Sequence, residues 1–180
     1  MHTLDKKGFI DLFFGDEAGF SLNLNVPYGW QFPGEPIRIL PQRSKRINVL
    51  GLMNAGGDEL HTFSKDGSVK ADFVIESINQ WRTSLRKPTV LVLDNARIHR
   101  SAALQACLAE WEAQDLYIFF LPTYSPHLNR IERLWLKAKQ RWLKPSGYAD
   151  LASLQTALDK IWNEFGEKYR VNFKQQRSGT

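Results

Sequence analysis

Residues 89–94 read Thr-Val-Leu-Val-Leu-Asp: four apolar residues in an unbroken run, closed by an acid. A strand with one wet face would alternate, so a run this short and this continuous fits a strand buried on both faces. Such a strand needs helices packed against it, which points to a layered α/β domain. Residues 116–121 (Leu-Tyr-Ile-Phe-Phe-Leu) read as a second buried strand. Residues 68–85, 101–111, 129–143 and 150–165 place apolar side chains at helical spacing. Upstream, residues 8–16, 46–54 and 59–64 read as three further strands, with Gly56-Gly57 as a turn. The order β-β-β-α-β-α-β-α-α predicts an α/β fold with a mixed five-stranded sheet flanked by helices.

Composition narrows the function classes. A chain of 180 residues, 43% hydrophobic, fits one domain that folds without staples. The single cysteine, Cys107, excludes an internal disulfide and a multi-cysteine zinc site, and its mid-helix position suits a small buried hydrophobe. No apolar run reaches the ~18 residues of a membrane span, and residues 1–7 lack the apolar stretch of a signal peptide. A soluble, cytoplasmic protein with no membrane partner is the expectation. Residues 1–173 are expected to form the domain, and the polar tail 174–180 to be disordered.

The net charge of +5 is unevenly placed. Residues 130–144 hold six basic residues and one acid, and residues 37–46 hold four basic residues and none. Arg133, Lys137, Arg141 and Lys144 recur at helical spacing, opposite an apolar stripe of Ile131, Leu134, Trp135, Ala138 and Trp142. A ridge of this kind is a solvated face in many proteins and a phosphate track in a nucleic-acid enzyme. A second cluster, Arg38, Arg43, Lys45 and Arg46, precedes the second strand.

Three acids sit at element ends. Asp16 closes the first predicted strand, Asp94 closes the most apolar one, and Glu132 lies in the first turn of the helix beginning at Asn129. Ligands of open α/β sheets bind outside the carboxyl ends of strands, although each acid alone also fits a capping role. Converging carboxylates would repel and need cations to stay ionised. Mg²⁺ suits few carboxylates plus phosphate oxygens, and a pair of such ions can drive in-line phosphoryl displacement. Glu17 is not counted as a ligand, because neighbours along a strand point to opposite faces.

The local contexts are more specific than the acids. They are Gly15-Asp16-Glu17-Ala18-Gly19-Phe20, Tyr28-Gly29-Trp30, Asp94-Asn95-Ala96-Arg97-Ile98-His99 and Leu121-Pro122-Thr123-Tyr124-Ser125-Pro126-His127-Leu128-Asn129-Arg130-Ile131-Glu132. Over about residues 9–145 the chain resembles the catalytic domain of mariner-like DDE transposases of the bacterial insertion-sequence branch. The resemblance implies a ribonuclease H-like fold in which Asp16, Asp94 and Glu132 form a catalytic, metal-binding triad for two Mg²⁺ (or Mn²⁺) ions. The implied reaction is DNA strand cleavage at transposon ends, followed by strand transfer into target DNA, often at TA. The implied partners are both DNAs and a second copy of the chain, in a nucleoid-associated homodimer. Asn95 and His99 become candidates for groups that orient Asp94 or touch phosphate, with helix-start and structural roles as their alternatives. The DNA-contact candidates are Arg130, Arg133, Lys137, Arg141, Lys144, Arg43, Lys45, Arg46, Tyr124 and Ser125.

Arg130 stands where the family usually has proline, adding a cation beside the site. The helix-turn-helix domains usual in the family are not in this sequence. That predicts a catalytic fragment, a truncated gene or one half of a split transposase. Two other readings are a non-catalytic DNA-binding or dimerisation remnant and a different ribonuclease H-like nuclease.

Overall fold

The computed structural model describes residues 1–22, 45–123 and 125–173. Five strands build one sheet: β1 (Asp11–Ser21), β2 (Arg46–Asn54), β3 (Leu60–Asp66), β4 (Thr89–Leu93) and β5 (Leu116–Phe120). Their order is β3-β2-β1-β4-β5. The first three are antiparallel neighbours, and β4 and β5 join parallel to β1. This is the mixed five-stranded sheet that the run order predicts. The helices are α1 (His2–Lys6), α2 (Ala71–Arg82), α3 (Ala102–Glu112), α4 (Glu132–Lys137) and α5 (Leu151–Asn163).

The alternation of β1 feeds two cores. Leu12, Phe14, Ala18 and Phe20 pack with Leu134 and Trp135 of α4 and with Leu154, Leu158 and Ile161 of α5. Phe13 turns the other way, joining Leu91 and Leu93 of β4 against Val74, Ile78 and Trp81 of α2 and Leu104 and Trp111 of α3. Each fully buried side chain of this size stabilises the fold by about 1.5–3 kcal/mol. Two caps mark where helices begin. Ser101 accepts from the Leu104 amide at 3.3 Å and Asp150 from the Ser153 amide at 2.7 Å. The predicted Gly56-Gly57 turn is organised by Asn54, whose Oδ1 accepts from the amides of Gly57, Asp58 and Glu59. Gly57 has φ +79°, and a Cβ there would stand 2.2 Å from the Val171 carbonyl oxygen.

Three expectations are corrected. Among the described residues, 116–120 form an edge strand, paired only with β4. Leu116 is buried, but Tyr117 and Phe119 are 40% and 42% exposed. The physical reason is that α5 packs over β2 and β3, toward the other edge of the sheet. Residues 129–143 are not one α-helix either. α4 ends at Lys137, and Ala138–Trp142 continues as a π-helical turn, with the Leu143 amide bonded to the Ala138 carbonyl at 3.0 Å. The wider turn brings Leu143 into the core, while Trp142 is half-buried against Phe165 and Tyr169. Arg133, Lys137, Arg141 and Lys144 are therefore not spaced along a single α-helical face. Cys107 is half-buried rather than buried, its thiol donating to the Ala103 carbonyl at 3.4 Å.

Candidate active site

Asp16 does not end its strand. β1 runs on to Ser21, and Asp16 pairs with Gly51 of β2. The parallel neighbour stops sooner: the last β1–β4 pair is Phe14 with Val92, and Asp94 follows the final residue of β4. Both acids thus stand just beyond the point where β1 and β4 part, at the carboxyl end of the parallel strands. Glu132 is the first residue of α4 and is exposed, with the fully buried Ile131 before it.

Trp135, three residues after Glu132, connects the helix to the first acid. Its indole Nε1 donates to Asp16 Oδ2 at 3.0 Å, and its ring is only 4% exposed. Gly51 makes this reach possible, since a Cβ there would lie 2.5 Å from the indole. The buried Asn129 adds a second fastening, its Nδ2 donating to the Gly15 carbonyl at 3.0 Å. The entry to α4 is therefore tied to β1 at Asp16 and at the residue before it.

Asp94 is held from the other side. The Ala96 amide donates to its Oδ1 at 3.0 Å, and His99 Nδ1 lies 2.7 Å from the same oxygen. His99 is fully buried, and its Nε2 lies 2.9 Å from Glu17 Oε1. Both bonds to the Asp94 carboxylate fall on Oδ1, leaving Oδ2 out of this network. Asn95 is half-buried and makes no side-chain hydrogen bond among the described residues. Of the two residues proposed to orient Asp94, only His99 touches it.

The electrostatics follow this geometry. Burial, and then the charges of Glu17, Glu132 and Asp94, push the Asp16 carboxyl up to about 7, against a backbone hydrogen bond from Glu17. The His99 hydrogen bond holds Asp94 below its usual range, against partial burial. Burial opposes a charge on His99, but the hydrogen bonds to Asp94 and Glu17, and then their charges, outweigh it and push the imidazole up to about 10. Asp16 therefore senses both Asp94 and Glu132, and a cation would relieve it. Among the described residues, no group of three or more His, Cys, Asp or Glu is gathered at metal-ligand spacing. Carboxylate oxygens are the donors a hard divalent cation takes, and Asp16 is the acid whose ionisation such a cation would most ease.

The basic candidates divide. Arg130 is half-buried, donating to the Ala55 carbonyl at 2.8 Å and lying over Phe173, 4.7 Å from the ring centre. Its guanidinium takes part in internal packing as well as adding a cation beside the helix start. Lys137 donates to the Arg170 carbonyl at 2.8 Å. Arg133, Arg141 and Lys144 are exposed, as are Lys45 and Arg46 at the start of β2. Ser125 makes a long 3.5 Å contact to the Thr123 carbonyl. Tyr28, Gly29, Trp30, Arg38, Arg43, Tyr124 and the tail 174–180 lie outside the described residues.

Two participants escaped the sequence reading. Trp135 reads as core from its place on the apolar stripe, yet it also bonds Asp16. Glu17 does face away from Asp16, but that face holds His99. The available signal was spacing: Trp135 lies one turn beyond Glu132, and Glu17 adjoins Asp16.

A family model described as DDE superfamily endonuclease matches residues 11–155. The insertion element IS630 uncharacterized 39 kDa protein of Shigella sonnei is 28% identical over 127 residues, which span 69% of this chain and 36% of that protein. Among solved structures, the mariner Mos1 paired-end complex with Mg aligns with a TM-score of 0.63 at 19% identity, over 84% of this chain and 48% of that one. The Mos1 strand transfer complex aligns at 0.60 and 19% identity, over 86% and 49%. The catalytic core domain of BIV integrase aligns at 0.52 and 14% identity, over 90% and 86%. The fold is that of the ribonuclease H-like transposase and integrase cores. The chain spans about a third of the length of the insertion-element protein and about half of the Mos1 chains.

Proposed function

The chain belongs to the DDE superfamily endonucleases, and we propose from this premise that it is the catalytic domain of an insertion-sequence transposase. In this reading it cuts DNA strands at transposon ends and transfers the freed 3′-hydroxyl into target DNA, with Asp16, Asp94 and Glu132 holding two Mg²⁺ or Mn²⁺ ions. The observation that carries the proposal is the meeting of β1 and β4. Asp16 and Asp94 stand together past their last shared pair, and Trp135 ties the helix of Glu132 to Asp16.

When bound, the ions supply Lewis acidity and charge neutralisation for in-line attack on a phosphodiester. The protein's own residues prepare for that. Trp135 and His99 orient two of the three carboxylates, and the acids around Asp16, which are Glu17, Glu132 and Asp94, set a negative field that attracts cations. Arg133, Arg141, Lys144, Lys45 and Arg46 offer exposed charge to phosphates. Asn95, Lys137, Ser125, Arg43 and Tyr124 remain candidates for DNA contact or support, and Arg130 for support of α4. The working unit is proposed to be a DNA-bound homodimer on the nucleoid of a bacterial cytoplasm. No helix among the described residues is long and apolar enough to cross a membrane.

The test is cleavage of a duplex carrying the element's own end sequence, with Mg²⁺ or Mn²⁺. Asp94→Ala, Asp16→Asn and Glu132→Gln are each expected to abolish it. Cleavage that survives Asp94→Ala would sink the assignment.

A further inference from the structure

Glu17 has no place in the proposed triad, and its side chain lies on the face of β1 opposite Asp16. It nevertheless meets the only other group that grips Asp94 by its side chain among the described residues. His99 is fully buried, with Nδ1 2.7 Å from Asp94 Oδ1 and Nε2 2.9 Å from Glu17 Oε1. Each ring nitrogen therefore faces its own carboxylate oxygen at hydrogen-bond distance. A histidine held by one carboxylate could still swing about its outer torsion, which is broad. Held at both nitrogens, it cannot. Glu17 is only 16% exposed, whereas Asp94 is 41% exposed, so the fixed end of the arrangement is Glu17 and the free end faces the site. Glu17 is also bonded through the chain to Asp16. The route Asp16–Glu17–His99–Asp94 crosses β1 from one face to the other and spans 82 residues of sequence between Glu17 and His99.

We infer that Glu17 is a positioning residue: through His99 it fixes the orientation of Asp94 and the separation of Asp94 from Asp16. The inference rests on reading Asp16 and Asp94 as cation-binding acids. Groups that orient metal ligands from behind change metal affinity by roughly 10- to 100-fold when removed.

The experiment uses the full chain, with Mn²⁺ alone as the probe and no DNA. Calorimetry is run on wild type, Glu17→Gln, Glu17→Leu and Asp94→Asn, with thermal unfolding of each beside it. Glu17→Gln keeps an acceptor for Nε2 and is expected to lose about tenfold in Mn²⁺ affinity, and Glu17→Leu about a hundredfold. Variants with a lowered unfolding midpoint but wild-type Mn²⁺ affinity would reduce Glu17 to a packing role and overturn the inference. Wild-type protein labelled with ¹⁵N-histidine offers a check that needs no variant to fold. Nitrogen relaxation is expected to show the His99 ring immobile without metal, and a freely reorienting ring would overturn the inference. Failure of the underlying reading looks different: Asp94→Asn would then bind Mn²⁺ as wild type does, and this inference would fall with it.

Discussion

Asp16 keeps a carboxylate where burial and three neighbouring acids oppose it, and this has a direction in pH. Its ordinary value is 3.8 and its folded value is about 7, so the unfolded chain ionises first. The metal-free protein should lose stability as pH climbs from about 4 to about 7 and level off above. Asp16→Asn removes the effect, so thermal unfolding midpoints should show the variant gaining on wild type through that window. A constant difference would contradict it. Divalent metal should bind more tightly as pH passes 7, where protons no longer compete for Asp16. His99 has the opposite sign. Raised from 6.5 to about 10, it contributes stability fully below 6.5 and loses it as pH rises through 10. His99→Ala leaves Glu17 and Asp94 facing an empty, buried site and should cost on the order of 3–5 kcal/mol near neutrality. Denaturant unfolding at both ends of the range should show that cost shrinking toward pH 10. The three candidate acids stood out in the sequence because they lie within recognisable strings, although Asp16 proves to be inside β1 and not at its end. Glu17 did not stand out, because its partner depends on how β1 and β4 pair, and no local pattern encodes that.

At the scale of elements, the site depends on a missing side chain. Gly51 lets Trp135 lie against β2, and from there the indole reaches Asp16. Gly51→Ala would drive a methyl group into the ring, costing about 1–3 kcal/mol as overpacking does. It should also weaken Mn²⁺ binding by displacing Trp135, whereas Leu158→Ala in α5 should cost about 2–5 kcal/mol and leave Mn²⁺ affinity alone. Calorimetry on the two variants separates them, and equal affinities would detach Trp135 from the site. The five strands were legible in the sequence, down to β2 with both ends as predicted, because apolar periodicity reports burial directly, whereas the short polar α1 carries no such signal. The π-helical turn after α4 was not legible either. Ile131, Leu134, Trp135, Ala138 and Trp142 satisfy α-helical spacing, and only the packing of Leu143 reveals the added residue. The edge position of β5 was hidden for a related reason. An aromatic side chain reads as core whether or not a helix arrives to cover it.

Across the whole molecule, the candidate acids come from three well-separated parts of the chain, and Asp16 and Asp94 become neighbours only when β1 pairs with β4. β1 carries Asp16, yet one of its two neighbours is residues 89–93, far along the sequence. Long-range parallel pairing of this kind is slow to form, and refolding followed by stopped flow should fall in the millisecond-to-second range. A fragment ending at residue 88 should leave β1 without slowly exchanging amides. Protection there would mean that the antiparallel half folds by itself. On the ribosome the same geometry imposes an order of events. The strand bearing the first acid is made before β2, β3 and α2, and waits through their synthesis before its parallel neighbour exists. During translation the pairing that brings Asp16 beside Asp94 therefore arrives late, together with the fold.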